Sequence, residues 1–318
     1  MRTLLLMGGL CSLGYGQTVA GFGYTLPGNS ITAAPGQVMT FSIFGVAGRF
    51  ATPVFPISGP NGLPTLVSGL TVEFAQGPLT VQMSIRGVQQ NACPAAPAAC
   101  SPATTFTVQI PYELVVESRD AAVLRVRENA SLVAEVAINA VTDSVHVINT
   151  CDQTGVWLSI AVSVSPGTCA PMVTHAGTPL VSATAPAVSG ETLVLWVYGL
   201  GALNHPLPTS FSVDWVEQLP VAVQPFNISF FYVDGLRSSW QRMEQQVPRY
   251  AGTPGGGLYQ VHLVVPPAPA NIANCPTGRG NFRIVVSGPT SADVAEVCLK
   301  SPVARLGVSE VPFSEASQ

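Results

Sequence analysis

The sequence predicts an all-β protein of two β-sandwich domains related by an internal duplication. Three observations carry that expectation. First, 30 Gly and 28 Pro punctuate short apolar runs rich in Val, Thr, Ile and Phe, the pattern of short strands joined by turns. Second, Ser189–Gly201 opens on a Ser-Gly turn, runs through Thr192-Leu193-Val194-Leu195-Trp196-Val197-Tyr198 and stops at Gly199-Leu200-Gly201. Pro35–Gly45, followed by Gly48, has the same turn–strand–glycine form. Gly36 and Gly190 are 154 residues apart, as are Gly45 and Gly199. Third, Val133-Ala134-Glu135-Val136 recurs as Val294-Ala295-Glu296-Val297. Along the chain the offset runs from 154 through 158 (Gly77 to Gly235) and 155 (Pro111 to Pro266) to 161 (Val133 to Val294), with the order of the markers kept, as lengthening and shortening of loops within a duplication would produce. Gly and Pro are informative markers because each holds a particular backbone geometry.

Residues 1–16 read as a signal peptide: Arg2 supplies the positive start, Thr3–Leu13 a short apolar core, and Gly14-Tyr15-Gly16 small residues at the cleavage site, leaving Gln17 first. That core is too short to span a bilayer, and no later apolar run reaches ~20 residues. Cys11 raises lipidation, but Gly8 stands where a lipobox wants Leu.

The first domain is expected over 17–143. Gly21–Ile31 is a lead-in loop, Gln37–Phe44 the first strand, and Arg49–Pro64 a Pro/Gly-rich connection. Leu70–Phe74 and Leu79–Ile85 form a hairpin across Ala75–Pro78, and Thr104–Ile110 ends at Pro111, which cannot donate to a ladder. Ala121–Val126 and Leu132–Ile138 finish the domain. The second is expected over 144–300, with strands at Val145–Ile148, Val156–Val164, Glu191–Tyr198, Phe226–Val233, Leu258–Val265, Phe282–Val286 and Val294–Leu299. Asp234-Gly235 is a turn, Trp215–Arg249 is the least sheet-like stretch, Gly255–Gly257 reads as a flexible connection, and 301–318 is a C-terminal tail.

Of seven Cys, six remain after signal cleavage: Cys93, Cys100, Cys151, Cys169, Cys275 and Cys298. An even set in an exported chain points to disulfides, though six cysteines allow 15 connectivities. Local pairing would join Cys93 to Cys100, Cys151 to Cys169 and Cys275 to Cys298. No Cys-x-x-Cys and no His at zinc spacing supports a metal reading.

Several stretches in order carry a family resemblance: Ala34–Val38, Phe106–Leu114, Ser189–Gly201 and Gly257–Pro266. Over about Ser30–Leu299 the chain resembles the uncharacterised C-terminal domain family of exported proteins from Solibacter-type acidobacteria. That resemblance implies an extracellular, immunoglobulin-like β-sandwich architecture and brings no reaction or catalytic residue with it.

Chemistry-bearing motifs are few. His146, His175, His205 and His262 show no metal-ligand spacing, and no Gly-x-Ser-x-Gly elbow, His-Glu-x-x-His run or Asp-x-Asp-x-Asn-Gly calcium loop occurs. Gly255–Gly257 lacks the Lys-Ser/Thr of a phosphate loop. A formal charge of −4 with scattered Arg offers no basic stripe to nucleic acid. Aromatics beside Arg make Trp240, Arg237 and Arg242 the candidate binding surface, whereas Phe226 and Tyr232 follow strand alternation into a core.

The reading is an exported, non-catalytic protein of two immunoglobulin-like sandwiches, secreted, periplasmic or at the cell surface, needing no cofactor. It would bind a protein or glycan there and serve binding, adhesion or surface architecture. The rival readings are a glycan-active hydrolase with an interdomain site, which needs converging acids or His, and a two-domain periplasmic chaperone, which needs an exposed apolar edge strand beside Arg.

Overall fold

A computed structural model describes residues 19–20, 25–26, 30–48, 52, 54, 63–90, 103–150, 170–176, 179–204, 220–248, 250–255, 257–275 and 280–302. Among them every regular element is a strand, and no helix is long and apolar enough to cross a membrane. The proposed signal peptide, the segment Val156–Val164, the four cysteines Cys93, Cys100, Cys151 and Cys169, His205, and the tail from 303 onward lie outside the described residues.

The N-terminal half holds β1 (Val19–Ala20), β2 (Thr25–Leu26), β3 (Ser30–Ala33), β4 (Val38–Ile43), β5 (Leu66–Val67), β6 (Leu70–Gln76), β7 (Leu79–Gln82), β8 (Ile85–Gln90), β9 (Thr104–Gln109), β10 (Ala122–Glu128) and β11 (Ser131–Ala140). The C-terminal half holds β12 (His146–Val147), β13 (Val173–His175), β14 (Thr192–Tyr198), β15 (Asn227–Asp234), β16 (Ser239–Gln246), β17 (Tyr250–Gly255), β18 (Leu258–Val264), β19 (Phe282–Ser287) and β20 (Ala292–Val297).

Pairing follows one scheme in each half. In the first, β4–β9–β8 form one sheet, and β3–β11–β10–β6, edged by β5 and β7, form the other. In the second, β14–β18–β17 are joined by β12 and β13 along β14, and the facing order is β16–β15–β19–β20. The registers coincide as well. Val38 pairs with Gln109 and Thr192 with Val264; Glu73 pairs with Arg125 and Phe231 with Arg283; Arg125 pairs with Glu135 and Arg283 with Glu296. Parallel pairing recurs too, β3 beside β11 in the first half and a single bridge from Ala187 to Leu299 in the second.

The turn before the first core strand is stapled identically. Ala34 N donates to Gln37 Oε1 at 2.8 Å, and Val188 N to Glu191 Oε1 at 2.5 Å. Gly36 and Gly190 have φ of 71° and 83°, and Gly45 and Gly199 close the strand at 97° and 74°. Only a residue without Cβ enters that region at no cost.

Alternation then sorts the side chains. Met39, Phe41 and Ile43 enter a cluster with Phe74, Leu124 and Phe106, while Thr40 and Ser42 on the opposite face bond Thr107 and Thr105 at 3.2 and 2.7 Å. Phe41 and Phe106 stack across the ladder, as Phe230 and Phe282 do in the second half. There Leu193, Leu195 and Val197 join Phe226, Phe230, Tyr259 and Phe282 in a second cluster, with Tyr232 packed partly buried against it. Trp196 and Tyr198, on the other face of β14, join Val38, Ile148, Met172 and Leu258 in a third cluster that links the halves.

Cys275, in a connecting loop, bonds Cys298 just past β20, the local pairing expected for these two. Three expectations are corrected. Ser30–Ala33 is a strand rather than lead-in loop, because β11 offers it a parallel edge. Ser239–Gln246, inside the stretch read as least sheet-like, is a full strand drawn into extension by β15. Gly257 is no flexible connection: its φ is 74°, and a Cβ there would sit 2.3 Å from Gly36 O in the first half.

Asp143 ties the incoming chain to the β19–β20 turn. It is 1% exposed, and its carboxylate accepts from Thr290 N, Thr290 Oγ1, Ser291 N and Ser291 Oγ at 2.5–2.9 Å. Asp143→Ala strands those donors and should cost about 2–4 kcal/mol; a denaturation midpoint equal to that of the unmodified chain would contradict this role. Gly257→Ala should cost about 1–3 kcal/mol from the backbone strain at positive φ and the clash with Gly36, read in the same titration.

Candidate functional site

The outward face of β16–β15–β19–β20 carries the predicted surface. Along β15, Ile228 and Phe230 point into the core, so Ser229, Phe231 and Val233 face outward. β16 lies beside them with Trp240 opposite Val233 and Arg242 opposite Phe231. On the other side of Phe231 stands Arg283, and beyond it Glu296. One row across the sheet therefore reads Arg242, Phe231, Arg283, Glu296.

The interactions in the row are specific. The Arg283 guanidinium lies 4.1 Å from the Trp240 ring centroid, a cation–π stack that holds the indole on the sheet. Its Nε donates to Glu296 Oε1 at 3.1 Å. Arg242 donates to Gln245 Oε1 at 2.6 Å and has no carboxylate partner among the described residues. Trp240 and Arg242 thus share a face, as alternation requires. Arg237 does not join them: it lies in the β15–β16 turn, exposed, 3.9 Å from Asp234 Oδ2. Asp234 Oδ1 organises that turn by accepting from Leu236 N and Arg237 N at 2.8 and 3.2 Å.

Sequence reading missed Phe231 and Arg283 as members of this face. The signal was the repeated Val-Ala-Glu-Val: Glu135 of the first run pairs with Arg125, and Glu296 of the second pairs with Arg283.

The matching row of the first half is built differently. It reads Gln82, Glu73, Arg125, Glu135. Arg125 Nε donates to Glu135 Oε2 at 2.9 Å and Nη1 reaches Glu73 Oε1 at 3.5 Å, while Gln82 Nε2 donates to Glu73 Oε2 at 3.3 Å. The hydrogen bond to Glu135 pushes the Arg125 pKa up, with Glu73 adding to it. That row is closed upon itself.

Other titratable groups among the described residues are bonded within the scaffold. His175 places Nδ1 3.0 Å from Glu191 Oε2 and Nε2 3.1 Å from Ala185 O. His262 lies within β18 against Gln260, its pKa lowered by burial. At the junction of the halves, Arg86 is buried and donates to Gln109 Oε1 at 3.1 Å; burial lowers its pKa against the opposing influence of Tyr198 and Tyr112. Burial also pushes the Tyr259 hydroxyl well above its usual range as it donates to Gly201 O at 2.7 Å. Among the described residues no three His, Cys, Asp or Glu side chains gather as a metal centre would need.

No family model and no curated protein matches the chain. Among solved structures, similarity is found to the C-terminal domain of the AgI/II polypeptide BspA of Streptococcus agalactiae and to a second structure titled BspA_C_WT. Each is 8% identical over 88% of this chain and 97% of that one, with a TM-score of 0.15. So low a score carries no argument about fold or function.

His146 Nδ1 lies 3.2 Å from Asp293 Oδ2. Burial alone would raise the Asp293 pKa, but hydrogen bonds from His146, Val147 N and Val294 N outweigh it and hold the carboxyl below its ordinary value. A carboxyl depressed by folding contributes stability above its unfolded pKa and loses it as pH falls through the lower folded value. Asp293→Asn should therefore lower the melting temperature at neutral pH and flatten its fall below about pH 4. Melting curves from pH 7 to 2 check this; parallel curves for both proteins would refute it.

Proposed function

We propose that this chain is an exported, non-catalytic binding protein of the cell surface. It is built from two immunoglobulin-like β-sandwiches, residues 17–143 and 144–300, descended from one duplicated domain. Support for the duplication comes from the matching strand order, the shared register and the twin glycine-bounded strands. The resemblance to the exported acidobacterial family stands with it, as do the Cys275–Cys298 bond and the signal-peptide pattern of residues 1–16.

One observation carries the binding role. The outward face of the second half presents Trp240, stacked by Arg283, beside Phe231 and Arg242, whereas the equivalent face of the first half spends its charges on internal pairs. Aromatic rings with arginine are the residues on which interfaces concentrate their free energy, and a ring already held in place loses little entropy on binding.

The test is retention on envelopes isolated from the native host. The exported chain should sediment with them, and Trp240→Ala should weaken retention by ~10-fold or more with an unchanged melting temperature. Equal retention of both proteins, or none of either, would refute the proposal. The intact mass of the exported protein should start at Gln17.

A further inference from the structure

The two outward rows differ at their centre. In the first half, the Glu73 carboxylate sits between Gln82 and Arg125 and accepts from both. In the second half the same register position is Phe231, which offers no carboxylate, and both neighbours across the ladder are arginines, Arg242 and Arg283. The first row holds two carboxylates to one guanidinium; the second holds two guanidiniums to one carboxylate. The sign of the row is reversed in a chain whose formal charge is −4. A carboxylate is thus missing from a position that its counterpart fills, and its ligating groups are present or improved. Arginine binds carboxylate through paired N–H donors, which glutamine cannot match.

We infer that the outward face of β15, β16 and β19 binds a carboxylated saccharide, with the sugar carboxylate above Phe231 between Arg242 and Arg283. This rests on the reading of the chain as a binding protein and adds the ligand class. The ring component follows from Trp240, on the same face, whose indole is stacked by Arg283 on one side and would meet the C–H face of a pyranose with the other. Gln245, already bonded to Arg242, and Ser229, paired opposite it, add donors and acceptors for hydroxyls. An acidic peptide is disfavoured by the edge next to this face. A peptide joining the sheet would pair with β16, and β16 carries a bulge between its pairings to Ser229 and Phe231 together with Arg242 and Glu244, devices that blunt strand addition.

The full exported chain is titrated calorimetrically with oligogalacturonate, with the same oligomer methyl-esterified, and with polyglutamate. Oligogalacturonate should bind, and the ester, which keeps the rings and loses the charge, should bind ~10-fold or more weakly. Phe231→Glu restores the internal carboxylate of the first half and should abolish binding. Arg242→Gln should weaken binding ~10-fold or more, and both variants should melt with the unmodified chain; if Phe231→Glu fails to fold, Arg242→Gln supplies the reading. Equal binding of ester and acid, binding in the variants within about twofold of the unmodified chain, or polyglutamate bound as tightly as the saccharide would overturn the inference. No binding of oligogalacturonate with envelope retention intact overturns the ligand class and leaves the binding role standing. Loss of both overturns both.

Discussion

In each half the first core strand is held in register by a glycine at either end, and the rest of the sheet order depends on that register. Gly36 leaves room for the Tyr112 ring, and Gly199 lies against Ser144 O, where a Cβ would come within 2.0 Å. Between those stops, β4 and β14 have six and seven residues, enough to send three side chains each into the core. A slip of one residue would exchange Met39, Phe41 and Ile43 for Val38, Thr40 and Ser42 at the core and strand the hydroxyls that now pair across the outer face. Once β4 and β14 are fixed, the ladders to β9 and β18 follow, and the facing sheets must cover the same apolar stripes.

The parts of the fold legible from sequence are those whose alternation and stops were local. Leu258–Val264 and Thr104–Gln109 were readable because apolar residues recur with period two and a proline follows. β16 was not: Ser-Trp-Gln-Arg-Met-Glu-Gln-Gln has residues at home in helices, and only hydrogen bonding to β15 makes it a strand. The short Ser30–Ala33 likewise exists through a parallel edge supplied over a hundred residues later. Of the candidate site, Trp240 and Arg242 were visible as an aromatic beside a cation. Arg283 and Phe231 were hidden, because their place depends on cross-strand register.

The junction between the halves is mixed in character. Val38 joins Ile148, Met172, Tyr198 and Leu258, and Tyr112 from the first half enters the second cluster. Beside this apolar contact lie Arg86 and Gln109, both buried and bonded to each other. A guanidinium out of water costs free energy unless its donors are satisfied, so such a group adds little net stability but penalises any arrangement that displaces its partners. The apolar contact supplies attraction; the buried polar pair and the close approach at Gly257 narrow the geometry in which that attraction is available.

This division of labour separates the positions at which the two halves are alike from those at which they differ. Core positions are constrained from every side: Phe41 stacks on Phe106 and Phe230 on Phe282, and a change in one strand must be absorbed by its neighbours. Outward rows are different. The Gln82, Glu73, Arg125, Glu135 row lies on the solvent side of the sheet, where ion pairs add little to stability. Replacing its central acid by an aromatic leaves register and core alone while changing what the surface attracts. Arg125–Glu135 and Arg283–Glu296 are alike in matching neighbours across one ladder. Beyond it the second half has Phe231 and Arg242 at the ladder positions of Glu73 and Gln82, so its outward face presents an aromatic ring and a second guanidinium where the first half presents an internal ion pair.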